Sequence, residues 1–125
     1  MNVTLIVGGS LAMALGLAHS WLGEQFILIR LLRRLDLPKV MGSELFTKRI
    51  LRFAWHLTTV LMLGLGAIPL LLSGEPLSHQ AIMIVRLESA TFLLCGAVSL
   101  AVTRARHFSW VVFLAISILL WLGAR

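Results

Sequence analysis

The stretch Leu51–Ser73, LRFAWHLTTVLMLGLGAIPLLLS, constrains this chain more than any other, because beyond Arg52 it holds no Lys, Arg, Asp or Glu. About 20 mainly apolar residues suffice to cross a bilayer, so this one is long enough to span it. Three further apolar runs, at about 3–22, 80–103 and 108–123, are set apart by proline, glycine and charge. The last is short, yet at about 1.5 Å per residue it nearly crosses a hydrocarbon core of about 30 Å. The expected fold is all-α, a four-helix transmembrane bundle forming a single domain of 125 residues. Composition agrees: the chain is 59% hydrophobic and 13% charged, against about 45–50% and about 25% in soluble domains. The N-terminal run has no basic n-region and no A-x-A-like cleavage site, so it is expected to remain as the first span.

Charge sets the expected orientation. Arg30, Arg33, Arg34, Lys39, Lys48, Arg49 and Arg52 surround the first connection, and Arg104 and Arg106 lie in the third. With four spans these two connections share a side, which the positive-inside rule assigns to the cytoplasm, giving an N-out/C-out topology. The net charge of +6 is then read as orientation and contact with anionic lipid headgroups, not as nucleic-acid binding. Compactness, short loops and the lack of organelle signals point to a bacterial inner membrane.

The first connection begins QFILIRLLRRLDLPK, apolar residues interleaved with arginines. That pattern suits a basic amphipathic segment lying in the headgroup plane and ended by Pro38. It equally suits a simple continuation of the first helix. Ser43 followed by Glu44 reads as the start of the second helix.

Gly8, Ala12, Gly16 and Ser20 recur every four residues, a small-residue ridge of the kind that lets membrane helices approach closely. Gly64 and Ala67 are expected to form a similar patch, and Pro69 to kink the second helix. Glu88, Thr91, Cys95, Ser99 and Thr103 follow at helical spacing and are expected to share one face turned away from lipid. Ridge and stripe together suggest a homo-oligomer. Arg86 is expected to anchor at the interface or to pair with Glu88 across a subunit contact. Cys95 is the only cysteine, which leaves no disulfide or CxxC site within the chain.

Three of the four histidines fall toward the basic side: His19, His56 and His107. Glu24 follows His19 by five residues, and Trp21, Trp55 and Trp110 sit at the same level. Histidines from neighbouring helices are suited to ligating haem iron, here His19 and His56. A transition metal would add Glu24 and His107. The competing readings are interfacial histidines satisfied by carbonyls or headgroups, and a proton or substrate pathway. An oligomeric channel or small transporter lined by Glu88, Thr91, Ser99 and Thr103 is the alternative function, and an accessory subunit of a larger membrane complex is a third. No GxSxG, Walker or GxGxxG motif occurs, and nothing in the spacing groups a serine, a histidine and an acid as nucleophile, base and orienter, which disfavours an enzyme.

If hydrocarbon solvates most of the exterior, the protein sediments with membranes and is released by detergent but not by high salt or alkaline carbonate. Recovery in the detergent-free supernatant after high-speed centrifugation would refute that.

Overall fold

Asn2, Ser43 and Ser78 each precede an apolar run, and each puts a side-chain oxygen on a backbone N–H in the first turn beyond it, that of Leu5, Phe46 and Ala81. Such caps satisfy donors that a helix start otherwise leaves bare. The computed structural model describes residues 1–74 and 76–125. Glu75, in the expected outer turn, lies outside the described residues. The described residues form four helices: α1 (Val3–Leu31), α2 (Glu44–Leu72), α3 (His79–Thr103) and α4 (Ser109–Gly123). The first three are long and apolar enough to cross a membrane, and α4 is shorter at 15 residues. Outward-facing Leu71, Leu87 and Val102 are 82%, 71% and 77% exposed, a surface suited to lipid and costly in water.

The first connection settles as a continuation of α1, not as a separate helix in the headgroup plane. α1 passes through a π-helical turn at Glu24–Leu28, where the Ile29 N–H reaches back to the Glu24 carbonyl, and stops at Leu31. It therefore ends well before Pro38, which lies in irregular chain. Two local ties order this connection. Thr47, buried in the first turn of α2, donates from Oγ1 to the Pro38 carbonyl at 2.7 Å and accepts from the Val40 N–H at 2.9 Å. The side-chain hydrogen bonds of Arg34 hold the exposed Asp36 carboxyl down to about 2. Glu44 pairs with Lys48 one turn on.

α1 is the central helix. It packs lengthwise on α2 and on α4, α3 packs on α4, and contact between α2 and α3 is sparse, so the bundle is open along that seam. The small-residue ridge makes this possible. A Cβ on Gly8 would meet Leu119 and Leu120 of α4, and one on Gly16 would meet Met62 of α2. The ridge is thus used within the chain, and it no longer argues for self-association. At one point the approach is backbone to backbone: a Cβ on Gly9 would lie 2.6 Å from the Gly66 carbonyl oxygen, and one on Gly66 2.7 Å from that of Gly9. The expected patch at Gly64 and Ala67 is corrected here. Gly64 faces open space, and Gly66, two residues on, carries the contact.

Leu5, Ala12, Val85, Phe92, Ile116 and Leu120 fill the interior. Ser89 of α3 donates to the Ser117 carbonyl of α4 at 2.8 Å. At the end bearing both termini, Asn2 joins three helix ends. Its backbone N–H binds the Ser73 carbonyl at 2.7 Å, its Nδ2 the Gly123 carbonyl at 2.8 Å, and its Oδ1 caps α1. Carbonyls at a helix C-terminus lack intrahelical partners, so one asparagine here satisfies the ends of α2 and α4 together.

Gly66→Ala should lower stability by about 1–3 kcal/mol through overpacking, whereas Gly64→Ala should be neutral or stabilising by up to about 1 kcal/mol. Thermal unfolding of both variants in one detergent checks the contrast, which disappears if Gly66 makes no close helix contact.

Candidate functional site

The basic half of the α1–α2 contact is built around Gly23. The Trp55 indole occupies the space where a Cβ at that position would stand. Seated there, Trp55 donates from Nε1 to the His19 carbonyl at 3.2 Å, and the His19 ring stacks on it at 4.6 Å between centroids and 6° between planes. Thr58 holds the other edge of that imidazole. Its hydroxyl donates its one proton to the Trp55 carbonyl at 2.6 Å, so at 3.0 Å it must accept from His19 Nε2–H. Neutral His19 is thereby the Nε2–H tautomer, with Nδ1 as its lone-pair nitrogen.

The neighbouring turn carries a continuous polar chain. Ser20 and Glu24 are four residues apart on α1, and Arg52 and His56 four apart on α2, so each pair shares a helix face. Antiparallel packing turns the two faces together. Arg52 grips the Glu24 carboxylate with a two-pronged contact, Nη2 to Oε1 at 2.8 Å and Nε to Oε2 at 3.2 Å. His56 lies between Glu24 and Ser20, with Nε2 at 3.2 Å from Glu24 Oε2 and Nδ1 at 2.6 Å from Ser20 Oγ. A carboxylate paired with arginine can only accept, so neutral His56 donates from Nε2, and its Nδ1 accepts the Ser20 proton. The π-helical turn begins at Glu24 itself. Such single-turn irregularities occur frequently at functional sites.

The sequence spacing alone does not group a serine, a histidine and an acid; the fold does. Ser20, Arg52, Trp55 and Thr58 belong to the site beside His19, Glu24 and His56. The signal available in advance was the matched four-residue spacing of Ser20–Glu24 and Arg52–His56, which acquires meaning only once the two helices are known to be neighbours.

The other sequence candidates lie elsewhere. His107 is exposed; its Nδ1 lies 2.8 Å from Ser109 Oγ and accepts from the Ser109 N–H at 3.2 Å, supporting the start of α4. It shares with His19 only the walls of an apolar cleft of about 640 Å³, lined also by Phe26, Trp55, Thr103 and Phe113. Among the described residues, no three His, Cys, Asp or Glu side chains gather in a way that could hold a metal. Glu88 is buried, but Thr91 and Cys95 are exposed, because the inward face of α3 runs through Ala81, Val85, Glu88, Phe92 and Gly96. Thr91 and Thr103 donate to carbonyls four residues back on their own helix, and Ser99 pairs with Ser109 at 2.6 Å. The expected stripe is therefore split between the interior and the outer surface. Arg86 lies not on Glu88 but over the Trp121 ring, 5.4 Å from its centroid.

No family model, curated protein or solved structure matches this chain.

In ¹⁵N spectra of histidine-labelled protein in detergent, taken where both rings are neutral, His19 and His56 should each carry their proton on Nε2. Ser20→Ala should move only the His56 Nδ1 resonance and Thr58→Ala only the His19 signals. A His56 protonated on Nδ1 would overturn the assigned chain.

Proposed function

We propose that this is an integral protein of a bacterial inner membrane, with both termini outside, which takes up and passes protons at its cytoplasmic end. The single observation carrying this reading is the chain Ser20 Oγ–H to His56 to Glu24, with its contacts of 2.6 and 3.2 Å. Imidazole is the side chain that exchanges a proton near neutral pH, and it can gain one at one nitrogen while releasing one from the other. The half-exposed Arg52 fixes Glu24 at the mouth of the chain, and Ser20 stands at its inner end. Orientation rests on the basic residues gathered at that mouth.

The same sense of donation activates serine nucleophiles, but acyl transfer also requires donors aimed at a developing oxyanion. Ser20 lies inside α1, where neighbouring backbone N–H groups are engaged in the helix. The relay is therefore read as moving protons, not acyl groups. Haem or metal binding is not carried forward, because both ring nitrogens of His56 are already engaged and a ligand role would first break its contact with Ser20 or Glu24. A channel lined by Glu88, Thr91, Ser99 and Thr103 is less well supported, since Glu88 turns inward while Thr91 is exposed, and the three hydroxyls are tied to backbone or to Ser109.

Proton uptake into proteoliposomes holding a pH-sensitive dye, driven by a potassium diffusion potential, tests the proposal. Wild-type protein should exceed empty vesicles, and His56→Ala should lower the rate by on the order of a hundredfold, the usual worth of a positioned acid–base group. Wild-type vesicles no faster than empty ones, or a His56→Ala rate equal to wild type, would refute it. An absorption spectrum of the same preparation tests the haem reading at once.

A further inference from the structure

The relay leaves one ionisable group of the bundle interior without a role. Glu88 is 4% exposed, and neither of its carboxyl oxygens has a hydrogen-bond partner. It stands nine residues beyond His79 on α3, about 14 Å along the axis and so near the middle of a hydrocarbon core of about 30 Å. Buried neighbours on its face of α3 are Val85, Ser89 and Phe92, and the hydroxyl of Ser89 is already given to Ser117.

The charged groups of the bundle all lie elsewhere. α4 carries no titratable side chain, and those of α1 are His19, Glu24 and Arg30, at or toward its basic end. On α2, Glu44, Lys48, Arg49, Arg52 and His56 are likewise at the basic end. Toward the opposite end, Arg86 is turned outward over Trp121, His79 is exposed, and the Met1 amine and Arg125 line an open groove. A bare carboxylate with neither donor nor cation beside it is costly in such surroundings, while a carboxylic acid is far less so. Between the relay and this depth lies a second orphan, Thr59 Oγ1, one turn further into α2 than His56 and buried without a partner.

We propose that Glu88 is a proton-carrying acid at mid-depth in the bundle, holding its proton in the resting protein and exchanging it with water when the helices open. The exchange is a simple acid–base step: the carboxyl O–H breaks, its proton passes to water, and another is taken back. As an inner station for protons delivered by His56, this role rests on the reading above; that the carboxyl is protonated does not.

Infrared spectroscopy of the full-length protein in lipid nanodiscs at neutral pH tests it. The expected result is a carboxylic-acid C=O band that vanishes in Glu88→Gln and shifts on transfer to D₂O. Selective ¹³C-carboxyl labelling of glutamate in the unchanged protein shifts the same band, which keeps the test valid if the variant does not fold. Absence of the band in wild type, its persistence in a folded Glu88→Gln, or a band that never responds to D₂O would each overturn the proposal. A band without proton flux removes the relay function and leaves the buried acid, whereas flux without the band does the reverse.

Discussion

Everything in this bundle depends on how closely α1 can approach its neighbours. Lipid tails offer helices no hydrophobic reason to associate, so cohesion comes from close packing and from polar groups with nowhere else to go. Gly9 and Gly66 bring the α1 and α2 backbones together near the terminal end, and Gly16 and Gly23 continue the approach toward the basic end. The same ridge meets α4 through Gly8. An added methyl group would clash outright at Gly9, Gly23 and Gly66, and would crowd side chains of α4 and α2 at Gly8 and Gly16. α1 consequently becomes the shared partner of α2 and α4, and α2 and α3 are left barely touching.

That approach determines where the polar groups fall. With Trp55 seated over Gly23, the following residue, His56, is delivered between Ser20 and Glu24, and His19 is left to stack on the indole. Aromatic packing and hydrogen bonding thus reinforce one another: the stack fixes one histidine, and the carboxylate fixed by arginine holds the other. The cluster is partly open, with the Arg52 and His56 side chains 50% and 37% exposed. Low polarity penalises an unmade bond most where burial is deep, which sets Glu88 and Thr59 apart from this cluster.

The two ends of the bundle solve the same problem by different means. At the terminal end one asparagine caps a helix start and accommodates the carbonyls of two helix ends. At the basic end the helices stop in irregular chain, where Thr47 gathers the approaching loop and Met41 and Gly42 adopt left-handed conformations, φ 51 and 77, to turn it into α2. In the sequence Asn2 is one polar residue ahead of an apolar run. Its role depends on the spatial meeting of Ser73 and Gly123, residues about half and a whole chain length away.

Helix number, approximate bounds, the cap at Ser43 and the small-residue ridge were all legible in the sequence, whereas the caps at Asn2 and Ser78 emerged only in the structure. The legible features follow from local quantities: the length of apolar runs, spacing along a helix, and the chemistry of one side chain beside its own backbone. The candidate site was half legible, since His19, Glu24 and His56 stood out as polar groups at a costly depth while their partners did not. Rotation of each helix about its axis was not encoded locally. Helical spacing placed Glu88, Thr91 and Cys95 on one stripe, but only packing against α4 decided that Glu88 turns inward and the other two outward. Likewise, only tertiary structure could choose Gly66 over Gly64, or set Ser20 against His56, because such choices are made by the surface a helix meets and not by the helix alone.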